Sequence, residues 1–135
     1  MVFNGKAWFG GENGTNGILV SVDSSAAVTT RTIATSTKVH SLAVAFGKLY
    51  YTWTDSSASV FLGSLDSAGA FVDAVDDITL YGTKLLKYKS NLLLLDGDQV
   101  YQSAGETVTT WNGTAEQAGS AGHPGYNSGG YFVKV

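Results

Sequence analysis

Ser21-Val22-Asp23-Ser24-Ser25-Ala26-Ala27 returns 43 residues later as Ser64-Leu65-Asp66-Ser67-Ala68-Gly69-Ala70. The same offset carries Leu42, Leu49 and Asp55 onto Leu85, Leu92 and Asp98 without a gap. A period of about 40–45 residues with strand-like content marks one supersecondary unit used several times. The repeat therefore speaks first to architecture.

Working outward from it, strand signals dominate. Leu49-Tyr50-Tyr51-Thr52-Trp53, Ser59-Val60-Phe61-Leu62 and Leu92 to Leu95 are aromatic, β-branched or aliphatic clusters bounded by Gly, Asn, Asp and Ser. The pairs Asn4-Gly5, Asn13-Gly14, Asn16-Gly17, Asp96-Gly97 and Asn112-Gly113 read as tight turns that need positive φ. No segment carries a sustained 3.6-residue apolar stripe with caps, so helix is expected to be almost absent.

One repeat divides into four expected strands: Val39 to Phe46, Leu49 to Trp53 after a Gly-Lys turn, Val60 to Leu65, and Ala70 to Val75. The next copy places them near Leu80 to Tyr88, Leu92 to Leu95, Val100 to Ser103 and Thr107 to Trp111. Upstream, Gly5-Lys6-Ala7-Trp8-Phe9 matches Gly47-Lys48-Leu49-Tyr50-Tyr51, so the chain is expected to open near a second strand, followed by Ile18 to Val22 and Val28 to Ile33. Gly129-Gly130-Tyr131-Phe132-Val133 matches the same turn and strand. The expected fold class is all-β: one domain over 1–135, a propeller-like array of about three four-stranded repeats of ~43 residues, incomplete at both ends. Its repeats span about 5–46, 47–89 and 90–128, with a partial strand pair at 129–135. Propellers close with about four to eight blades. Open ends would leave strand edges unpaired, so a second chain, a longer polypeptide or neighbouring subunits are each a way to complete the arc.

The run from Leu49 to Asp55, followed by Ser59-Val60-Phe61-Leu62-Gly63-Ser64-Leu65-Asp66 and Gly69, resembles a blade of the YWTD/NHL type of β-propeller. In that pattern an aromatic strand ending in Asp precedes a strand ending in Leu-Asp and a Gly turn. The chain departs from it where Thr52 separates Tyr51 from Trp53 and where Leu92 to Asp96 lacks aromatics. The resemblance implies a propeller architecture and transfers no ligand site. The Ser/Thr/Gly/Ala-rich, Cys-free, repeat-built composition also resembles bacteriophage tail and other virion structural proteins, some of which carry propeller domains.

Composition narrows the function classes. The 135 residues suffice for one domain with a real core. A net charge of −3 supplies no basic field for nucleic acid. Only 14 % of residues are charged, which suits a surface of hydroxyls and amides or one buried in an assembly. There is no cysteine, hence no disulfide, thiolate nucleophile or Cys-based zinc site. Met1 to Lys6 does not read as a signal peptide, and no apolar run approaches a membrane span. Asn13-Gly14-Thr15 and Asn112-Gly113-Thr114 read as turns in preference to glycosylation sites.

Candidate sites are few, and each has a plain alternative. Asp96-Gly97-Asp98 resembles the start of a calcium loop, but lacks the further oxygens and closing Glu, and a hairpin turn explains it. Asp73, Asp76 and Asp77 read as a solvated cluster blunting a strand edge. His40 and His123 are the only histidines. His40, opening a first strand, is expected to line a central channel. No Gly-x-Ser-x-Gly elbow and no nucleotide-binding glycine pattern is present, so neither a catalytic residue nor a cofactor is expected. Trp8 and Trp53 read as blade-packing core at equivalent repeat positions. Trp111 and Tyr126, with His40, are the ligand candidates should the chain bind glycans. The expected role is a non-enzymatic structural or interaction module of a virion or tail, with homo-oligomerisation or other virion subunits as partners; without a phage origin the expected location is cytoplasmic. A glycan-binding module, or a fragment or designed propeller that closes by oligomerisation, stands as the alternative.

Overall fold

The computed structural model describes residues 1–96 and 99–114. Among these residues twelve strands form three four-stranded antiparallel sheets, each a meander in sequence order. The first sheet contains β1 (Val2–Phe3), β2 (Lys6–Glu12), β3 (Gly17–Val22) and β4 (Val28–Thr32). The second contains β5 (Ser36–Ala45), β6 (Lys48–Asp55), β7 (Val60–Leu65) and β8 (Phe71–Asp77). The third contains β9 (Lys84–Tyr88), β10 (Asn91–Asp96), β11 (Gln99–Ala104) and β12 (Thr107–Thr114). The described residues include no helix. The result is an all-β, propeller-like array whose sheets do not close into a ring.

Several expected boundaries move. Val2 and Phe3 pair with Ala7 and Lys6, so the first sheet has a short first strand where the sequence reading began at the second. β5 starts at Ser36, three residues before the expected Val39. Its turn is Phe46-Gly47, with φ of 51° and 70°, and Lys48 already lies in β6. Asn112-Gly113 is no turn: both residues lie in β12, paired with Gln102 and Tyr101. Cross-strand pairing in a third hairpin overrides the local turn preference of that dipeptide.

The recurring Asp-Ser motif is turn chemistry. In the β3–β4 loop, Asp23 Oδ1 accepts from the backbone N–H groups of Ser25 and Ala27 at 2.8 and 3.0 Å. In the β7–β8 loop, Asp66 Oδ1 accepts from Ala68 and Ala70 at 2.9 and 2.8 Å. The β6–β7 loop repeats the arrangement, with Asp55 accepting from Ser57 and Ser59 at 2.8 and 2.9 Å. Each loop places its fourth residue at positive φ: Ala26 at 64°, Ala58 at 63°, Gly69 at 90°. A short acceptor side chain that mimics a backbone turn explains why Asp heads all three.

Two apolar layers fill the spaces between sheets. Phe3, Trp8, Leu19 and Ile33 of the first sheet and its exit meet Val39, Leu49, Tyr51, Trp53 and Leu65 of the second. Ala43, Ala45, Tyr50, Val60, Leu62 and Ile78 of the second sheet and its exit meet Leu85, Leu92, Leu94 and Val108 of the third. Along β6 the side chains alternate: Leu49, Tyr51 and Trp53 enter one layer and Tyr50 enters the other. The second sheet is thus buried on both faces, which is why β6 reads as a continuous apolar run. Trp8 and Trp53 are both core, but they enter one layer from opposite sheets and do not hold equivalent positions. The repeat partner of Trp8 is Tyr50.

Candidate functional site

The sequence-named residues do not converge. His40 is exposed and sits at a register shift between Val39 and Ser41, so it is the extra residue of a β-bulge in mid-strand and does not open the strand. Its Nε2 lies 2.5 Å from Thr54 Oγ1. Partial desolvation, with Lys38 second, pushes its pKa below the ordinary value. Trp111 lies across the molecule in β12, packed against Tyr81 with ring centroids 6.2 Å apart. Its Nε1–H donates to Asp76 Oδ2 at 2.7 Å, joining the third sheet to the second. Asp96 is exposed and pairs with Gln99 across a hairpin. Asp98, His123 and Tyr126 lie outside the described residues. Among the described residues no group of three or more His, Cys, Asp or Glu could hold a metal ion, and no helix is long and apolar enough to cross a membrane.

The expected acidic cluster separates into three separate jobs. Asp73 receives a forked pair of hydrogen bonds from Arg31 of β4, at 2.8 and 2.7 Å, and a third from the Tyr51 hydroxyl at 2.6 Å. Its backbone carbonyl accepts from Trp53 Nε1 at 2.6 Å. Burial works against the Asp73 charge, but the Arg31 and Tyr51 hydrogen bonds outweigh it and hold the carboxyl below the usual range. Burial first, and then Asp73, push the Tyr51 hydroxyl far above its ordinary pKa. Asp76 takes the Trp111 bond described above. Asp77 accepts from the Thr79 N–H and hydroxyl, which closes the loop leaving β8. The acidic residues are therefore clasps between sheets and loops, and their short spacing along β8 hides the fact that they serve different neighbours.

A cleft of about 250 Å³ opens beside the first clasp, lined by Asn4, Lys6, Trp8, Arg31, Gly69 and Phe71. Asn4 Nδ2 donates to the carbonyls of Asp66 and Ser67 at 3.3 and 3.2 Å, which closes the cleft at one end. The Arg31 guanidinium stacks 4.2 Å from the Phe71 ring centre, so its charge is already shared between a carboxylate and an aromatic face. Trp8 donates its Nε1–H to the Phe3 carbonyl at 3.1 Å. Both side chains are fixed by internal partners, and the cleft reads as the mouth of the joint between sheets.

Among the described residues, the outer face of the first sheet has no apolar layer packed on it. Alternation from Trp8 and Leu19, which point inward, turns Ala7, Phe9, Ile18, Val20, Val22 and Val28 outward. None is charged. Phe9 is 55 % exposed and Val28 65 %. The repeat offset sets Val22 against Leu65, and the matched turns set Phe9 against Tyr51. In the second sheet those partners are 2 % and 0 % exposed. The sequence pattern found the repeat, but the exposure of one copy's apolar face is visible only once the sheets are stacked. No known protein family, curated protein or solved structure matches the chain.

Proposed function

We propose that the chain is a non-enzymatic structural module that works by assembly, through the outer face of its first sheet. The observation that carries this reading is that Phe9 is open where its repeat counterpart Tyr51 is fully buried by the preceding sheet. A contiguous apolar face rimmed by hydroxyl residues is the signature of a surface meant to be covered. The small share of charged residues fits the same role, and with the repeat-built composition it points to a virion or tail component of a bacteriophage. Against glycan binding stands the position of Trp111, whose one N–H is spent on Asp76 and whose ring packs on Tyr81.

The reading is tested on dilute, monomeric chain with an environment-sensitive apolar dye and with Val20→Cys, the sole thiol in the variant. Strong dye binding, reduced by Phe9→Lys with the circular dichroism spectrum unchanged, together with rapid maleimide labelling of Val20→Cys, is expected. A dilute chain that binds no dye and shields the Val20→Cys thiol has its face covered from within, and the assembly reading then fails.

A further inference from the structure

We infer that the partner covering this face is the third sheet of a second copy of the same chain, joined head to tail; the inference rests on the assembly reading above. Within one chain the same joint is already made twice. Every sheet has a leading face, which meets the sheet that follows, and a trailing face, which meets the sheet before. The offset of 43 takes Leu42 to Leu85 and Leu49 to Leu92, and each of these four residues points at the preceding sheet. The two joints are repeats of one interface. Among the described residues, the trailing face of the first sheet and the leading face of the third are left over.

Those two faces carry apolar residues at the positions that pack in the two internal joints. On the trailing face of the first sheet Ala7 stands for Leu49, Gly11 for Trp53, Val28 for Phe71 and Val20 for Gly63. On the leading face of the third sheet Leu86 stands for Ala43, Tyr88 for Ala45, Leu95 for Thr52 and Leu93 for Tyr50. Leu86 and Tyr88 are 42 % and 56 % exposed, whereas Ala43 and Ala45 are buried. The outer face of the first sheet carries no charge, and the third sheet's face carries Lys84, paired with Leu95, beside its apolar residues. A head-to-tail contact either closes or propagates. The described residues of one chain form three sheets; propeller rings hold about four to eight blades, and two such sets give a number in that range while three exceed it. The inferred assembly is a closed dimer.

Internal geometry names the residues to probe. Trp8 and Phe71 meet edge to face across the first joint, 6.1 Å between centroids. Their counterparts at the joint between copies are Leu93 on the third sheet and Val28 on the first. The chain has no native cysteine, so Val28→Cys and Leu93→Cys can be made singly and treated with a short bis-maleimide. The wild-type chain is expected to elute with light scattering at twice the chain mass at micromolar concentration. Cross-linked dimer is expected when the two variants are mixed and absent when either is treated alone. Ile18→Cys, on the same outer face, repeats the experiment should Val28→Cys fold poorly. Cross-linking of Val28→Cys with itself indicates a face-to-face pair and overturns the inference. A chain that stays monomeric at every concentration, yet labels rapidly at Val20→Cys, overturns it too while leaving the assembly reading standing. A monomer with that thiol shielded defeats both.

Discussion

Ala26 and Ala58 occupy left-handed backbone, at φ of 64° and 63°, in loops where the third copy of the same turn uses Gly69 at 90°. An L-residue with a Cβ pays about 1 kcal/mol there, which glycine avoids. Nothing lies within 4 Å of a Cβ added at Gly69, so the comparison isolates the backbone term from packing. Ala26→Gly and Ala58→Gly are each expected to stabilise the chain by about 0.5–1 kcal/mol in urea unfolding, and Gly69→Ala to destabilise it by a similar amount. Unchanged midpoints in all three would mean that the loops relax freely. The aspartates heading these loops recur visibly in the sequence because the motif is local: Asp, two small residues, then Ala or Gly. His40 was not, because a β-bulge depends on the pairing partner in β6, which no run of residues around His40 encodes.

At the scale of elements, what holds neighbouring sheets together is a clasp beside each apolar layer. Between the first and second sheets it is Arg31–Asp73–Tyr51; between the second and third it is Trp111–Asp76. The Asp73 carboxyl is held below the ordinary aspartate value of 3.8, so folded protein binds this proton less readily than unfolded protein does. Its contribution is accordingly complete above that value and is lost as pH falls through the lower folded pKa. Asp73→Asn is expected to cost about 1–2 kcal/mol at neutral pH, a figure reduced from that of a buried charged hydrogen bond because the side chain is 35 % exposed. The gap to wild type should close in acid, and a gap independent of pH would show that the charge is not what matters. Gly63 belongs to the same clasp, since Tyr51 lies across it and an added Cβ would overlap the ring. Gly63→Ala is expected to destabilise by about 1–3 kcal/mol, and Tyr51→Phe to leave that penalty largely in place, because it arises from ring volume. The strands themselves could be read from clusters and turns to within a few residues. The sealing role of Ile33, read as the end of an expected strand, and of Ile78 could not: both follow the last strand of a sheet, donate their N–H to the first residue of its third strand, and close a layer with no exposure. Their spacing of 45 departs from the 43 of the turns, so the offset that revealed the repeat passes over them.

For the whole molecule, the consequence of three stacked sheets is an uneven distribution of burial. The second sheet has an apolar layer on each face, whereas the described contacts of the first sheet and of the third cover one face only. Backbone amides exchange through local opening, whose free energy rises with the apolar contact that must be broken. β6 and β7 amides are therefore expected to exchange slowest, at the rate set by global unfolding. Amides of β2 and β3 should exchange faster in dilute chain, because opening the first sheet breaks only its contact with the second. If the outer face of that sheet is a joint, dimerisation adds the missing layer, and protection in β2 and β3 must rise with protein concentration by mass action while β6 and β7 change less. Phe9→Lys should remove the concentration dependence and leave the dilute-chain pattern intact. This reasoning also bounds what the sequence could disclose. A 43-residue offset reports that units are alike, and alike units imply like neighbours. Which unit lacks its neighbour is a property of the stack, and it is read from Phe9 standing open in the place where Tyr51 is closed. Hydrogen exchange followed across a dilution series tests that asymmetry directly, and concentration-independent protection throughout the first sheet would end the case for a second copy on its outer face.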